Sequence, residues 1–109
     1  MIFSDVKLEG EEVFVFATIK DLCVEHNELV CDFVNERNQE SIEQANLIKF
    51  DILINLYNIA RTKNKNGMLW RLKNDCVDNH ILKNEVINYN VIYNTYINAK
   101  WVFVHNSGN

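Results

Sequence analysis

The sequence predicts an α+β domain in which two β-hairpins form one antiparallel sheet with three helices packed on it, in the order ββαααββ. Three observations carry that expectation. A β-branched and aromatic run, Val13-Phe14-Val15-Phe16, follows a Glu9-Gly10 turn signal. Near the other end Ile87, Tyr89, Val91 and Tyr93 alternate with Asn88 and Asn90. Between the two, apolar residues recur at helical spacing.

Taken in order, residues 2–17 read as the first hairpin, with Gly10 supplying positive φ. A helix is expected from Thr18 to Glu36, opened by Thr18 with Asp21 three residues on. Its apolar stripe comprises Ile19, Leu22, Cys23, His26, Leu29, Val30 and Phe33. Ser41 with Gln44 opens a second helix, reaching about Lys63. It carries two stripes, Ala45, Ile48, Ile52, Leu56 and Ile59, and then Leu47, Phe50, Ile54 and Tyr57. A helix apolar over so much of its circumference is central to a fold or part of an interface. Asn64 to Gly67 predicts a turn, and a third helix is expected from Met68 to Leu82. The second hairpin spans Glu85 to Val104, its last strand Trp101-Val102-Phe103-Val104. One domain over 1–105 with a frayed tail at 106–109 completes the reading.

Nearly half of the 109 residues are apolar and twelve are aromatic, which supplies a core and excludes intrinsic disorder. Met1 to Lys7 shows no basic region leading into a long apolar run, and no stretch is long enough to span a bilayer. Three cysteines make an odd number, and none of the 17 asparagines lies in an Asn-x-Ser/Thr acceptor. These features predict an intracellular protein, cytoplasmic or nuclear. The asparagine richness and the absence of proline suit an AT-rich coding sequence, such as a viral one; that concerns origin and carries no mechanism. In order of elements alone, a hairpin leading into a helix resembles the N-terminal DNA-binding domains of some large DNA viruses. No residue motif supports that likeness, and no family is assigned on it.

Charge is distributed unevenly. Residues 1–60 hold 4 basic and 12 acidic side chains, whereas residues 61–109 hold 7 basic and 3 acidic. Arg61, Lys63, Lys65, Arg71 and Lys73 crowd around Trp70. A basic segment with an exposed aromatic can hold phosphates and stack a base, or dock an acidic protein surface. Solvated lysines at a helix end with Trp70 in the core are the plainer explanation. The carboxylates of the first half, including Glu9, Glu11, Glu12 and Glu25, lack the ladder of a calcium loop and read as solubilising.

A second set pairs Cys23 with His26 and Cys76 with His80. Each pair shares a helical face, and four such ligands would complete a tetrahedral zinc site if the faces met. The 49 positions between the pairs match no compact zinc-finger spacing, so no metal or other cofactor is assigned and a zinc-stabilised domain is kept as an alternative. Catalytic signatures are lacking: there is no Gly-x-Ser-x-Gly, no phosphate-cradling glycine loop and no His-Glu-x-x-His. The expectation is a non-catalytic protein–protein interaction module, binding another protein or a second copy of itself. Nucleic-acid binding through residues 61–73 is the alternative from a different class.

Overall fold

A computed structural model describes residues 6–74 and 77–106, with side chains throughout except at 63–69, 74, 103 and 106. The described chain is helical: α1 Glu11–Glu36, α2 Gln39–Asn74, α3 Val77–Leu82 and α4 Tyr89–Asn106. No strand occurs among the described residues, so the expected α+β class, its sheet and both hairpins are overturned. The likeness to viral DNA-binding domains, which rested on the first hairpin, goes with them. The expected tail overlaps the last residue of α4 at Asn106, and 107–109 lie outside the described residues.

The Glu9-Gly10 turn opens a helix instead of a hairpin. Gly10 sits at φ 56° and ψ −125°, a region that only glycine enters cheaply. The chain then starts α1 with Glu11 and Glu12 in the first turn, where carboxylates suit the helix dipole. Val13 to Phe16 have strand propensity, but burial decides their conformation. Glu12, Phe16, Ile19, Cys23, His26 and Val30 are all buried, and their alternating steps of four and three keep one face on the core. Thr18 is therefore interior to α1, and its Oγ1 donates to the Phe14 carbonyl at 3.1 Å.

Arg37 ends α1 in the left-handed region at φ 54°, its N–H donating to the Phe33 carbonyl. One residue later Asn38 caps α2, its Oδ1 accepting from the Glu40 N–H at 3.1 Å. The cap expected of Ser41 thus belongs to Asn38, and Ser41 is buried. So short a link sets α1 and α2 antiparallel, and they pack along their length. The predicted first stripe of α2, Ala45, Ile48, Ile52, Leu56 and Ile59, forms its buried face. The helix runs through 64–67, where a turn was expected, and ends at Asn74. At 36 residues it is ten longer than α1. It is not straight over its whole length, because Lys73 Nζ lies 5.5 Å from the ring centroid of Tyr57, two residues that a straight helix would hold roughly 24 Å apart.

The expected third helix is in fact two pieces, the last turns of α2 and the short α3. Val77 and Ile81 of α3 are fully buried and join Leu72 in the core. The predicted second hairpin is α4. Ile92, Tyr96 and Ala99 are buried, with Tyr89 and Tyr93 partly so, a 3.6-residue rhythm that outweighs the two-residue alternation seen locally. Phe16 of α1 holds α4 in place, meeting the rings of Tyr89, Tyr93 and Tyr96 at 6.4, 6.1 and 4.8 Å.

Candidate interaction surface

The basic segment is the C-terminal third of α2 and not a loop. Nine positions separate Arg61 from Trp70. Both are exposed. Trp70 is 61% exposed, so the plainer explanation that placed it in the core does not hold. Lys73 leans over the Tyr57 ring, 5.5 Å from its centroid. Arg71 is half-buried and engaged with a partner. The side chains of Lys63 and Lys65 lie outside the described residues.

Of the four zinc candidates, Cys23 is buried, and burial pushes its thiol up to about 11, away from the thiolate that a metal requires. His26 is wholly buried. Its Nδ1 pairs with Asn27 Oδ1 at 2.9 Å, and its Nε2 has no hydrogen-bond partner among the described residues. Burial lowers its pKa, as does the charge of Lys49, against the opposing effect of Asn27. His80 is half-buried, and Cys76 lies outside the described residues. Among the described residues no three metal-ligating side chains converge. Asn27 has a structural use: its side chain pairs both ways with the backbone of Ile87, accepting from the N–H at 2.9 Å and donating to the carbonyl at 2.8 Å. That clamp ties the segment leading into α4 to the middle of α1.

A polar knot that the sequence reading missed joins α1 to α4. The Glu12 carboxylate, fully buried, accepts from Lys100 Nζ at 2.6 Å, from the Tyr96 hydroxyl and from the Glu9 N–H at 3.0 Å. Lys100 also donates to the Lys7 carbonyl at 2.9 Å. Burial alone would raise the Glu12 pKa; Lys100, Tyr96 and the Glu9 amide outweigh it and hold the carboxyl below its ordinary value. Tyr96 is pushed up by burial and by Glu12. The available signal was the spacing of Tyr96 and Lys100, one turn apart on α4, but without α4 as a helix it could not be read. The knot is closed and serves packing.

The outward side of α2 is different. Leu47, Phe50 and Ile54 are 67%, 54% and 56% exposed. They follow each other at i, i+3 and i+7, opposite the row packed on α1. These are three of the four residues of the second stripe; the fourth, Tyr57, is half-buried and donates its hydroxyl to Asp78. No protein-family model, no curated protein and no solved structure matches this chain. No helix among the described residues is long and apolar enough to cross a membrane. Leu47, Phe50 and Ile54 thus form an apolar row on α2 that the described fold leaves open, and Tyr57 at its end is tied to α3.

Proposed function

We propose that the chain is a small, non-catalytic protein–protein interaction module whose working surface is the outward row of α2. The observation that carries this reading is the exposure of Leu47, Phe50 and Ile54 on one helical face. Burying a Leu, Ile or Phe side chain stabilises by about 1.5–3 kcal/mol, so three contiguous exposed ones hold a considerable driving force for association. A photo-crosslinking residue at position 50 tests it, with one at the exposed position 25 of α1 as control. Irradiated in the purified protein and in an extract of the source cell, position 50 is expected to give discrete protein adducts where position 25 gives none. Silence from position 50 in both settings sinks the reading.

Nucleic-acid binding is a second reading, supported by the exposure of Trp70 beside the basic positions 61–73. Stacking on a base would quench Trp70 fluorescence at low salt and fade as salt rises. No quenching with either single-stranded DNA or RNA at low salt removes it.

A further inference from the structure

The outward row of α2 continues beyond its apolar centre in both directions. Read along the helix it runs Glu40, Glu43, Leu47, Phe50, Ile54, Tyr57 and Arg61, with alternating steps of three and four throughout. This is the spacing at which one helix lays a narrow seam against another. The acidic end, Glu40 and Glu43, is exposed, and so is Arg61 at the basic end. The seam is therefore acidic at one end, apolar in the middle and basic at the other.

A pattern of that kind is complementary to its own reverse. Turned end for end about a two-fold axis level with residue 52, a second α2 sets Phe50 opposite Ile54 and Leu47 opposite Tyr57. The same operation sets Glu43 opposite Arg61, twice, once on each side of the axis. A parallel pairing would instead set Glu43 against Glu43 and Arg61 against Arg61, which like-charge repulsion disfavours. The buried row lies on the other side of α2, so a second copy can approach without disturbing α1, and it meets α3 only where Tyr57 bonds Asp78. From Glu40 to Arg61 the seam is roughly 30 Å long, enough for a modest isologous interface at the lower end of specific sizes.

We propose that the partner of this surface is a second copy of the chain, packed as an antiparallel two-fold dimer along α2 with paired Glu43–Arg61 bridges at its ends. This rests on the reading of the α2 row as an interaction surface and specifies its occupant. The two-fold is closed, so association stops at a dimer and does not run on into filaments.

Sedimentation velocity on the purified full chain over a range of concentrations tests it, with circular dichroism on every variant to confirm helix content. The wild type is expected to be a reversible dimer. Glu43→Arg and Arg61→Glu should each weaken it by at least about tenfold through like-charge contacts, and Phe50→Ser should weaken it through the centre. The double variant Glu43→Arg/Arg61→Glu should return to within about threefold of the wild type, since it restores both pairs with reversed sign. A wild type that is monomeric at hundreds of micromolar overturns the dimer, as does a dimer indifferent to the single reversals or a double variant that stays as weak as they are. A monomer whose position 50 still crosslinks to another protein overturns self-pairing alone and leaves the interaction surface standing.

Discussion

Glu12 and His26 are both buried on α1, and their surroundings give them opposite fates. Glu12 is ionised and fully engaged, with Lys100, Tyr96 and the Glu9 amide around it. Removing one partner of such a knot leaves the others desolvated without compensation, so Glu12→Ala should cost about 2–4 kcal/mol in urea unfolding. Its folded pKa lies below the ordinary 4.5. The stability it supplies is full above that value and is lost as pH falls through the lower folded one. Glu12→Gln should remove this acid-side slope. His26 is held neutral, its pKa below 6.5, so protonation favours the unfolded chain. Its contribution is neutral above 6.5 and destabilising as pH falls from there to the folded value. His26→Leu should therefore flatten that limb. It should also change stability at pH 7.5 by less than about 1 kcal/mol, because the Ile87 N–H still satisfies Asn27 Oδ1. A steep loss at pH 7.5 would show that Nε2 has a partner.

Among the elements, the α1–α2 hairpin turns on two residues with different demands. Arg37 holds φ 54° and ψ 36°, which costs a side-chain-bearing residue about 1 kcal/mol relative to glycine. Arg37→Gly should raise the thermal midpoint, while Asn38→Ala, which removes the cap on the Glu40 amide, should lower stability by about 1 kcal/mol. Differential scanning calorimetry checks both, and the opposite signs at adjacent positions separate a backbone effect from a general one. The same element shows how far the pattern of residues could be read. Both stripes of α2 were visible as 3.6-residue repeats, and the first is its buried face. What periodicity could not say is which stripe would be covered, because that depends on where α1, α3 and α4 pack against α2. The 64–67 stop signal also failed, since one glycine among asparagines costs a helix about 1 kcal/mol and buried neighbours such as Leu72 offset it.

At the scale of the whole molecule, four helices and no described strand predict a far-UV circular dichroism spectrum with strong helical minima at about 208 and 222 nm and no strand signature. A strand-dominated spectrum would contradict the fold itself. The molecule is elongated, 53 Å along its long axis against 25 and 23 Å across it. The described basic side chains are held differently: Arg61 is exposed, Arg71 is half-buried and Lys73 lies over the Tyr57 ring. On a long helix, neighbours in sequence diverge by about 100° per residue, and only residues three or four apart share a face. Glu43 and Arg61, eighteen residues and about five turns apart, fall on one line.

By itself the sequence determined the two long amphipathic helices at the centre, the buried row of α2 and the polarity of charge along the chain. All of these follow from local spacing and composition. Tertiary structure alone decided the fate of Val13 to Phe16 and of residues 87–104, whose β-branched and aromatic side chains favour strands in isolation. Propensity differs by only tenths of a kcal/mol per residue, and burial of Phe16 against Tyr89, Tyr93 and Tyr96, with the Glu12–Lys100 pair beside them, outweighs it. It also decided that Leu47, Phe50 and Ile54 face outward, because α1, α3 and α4 pack on other parts of α2 and the described fold leaves this row to solvent.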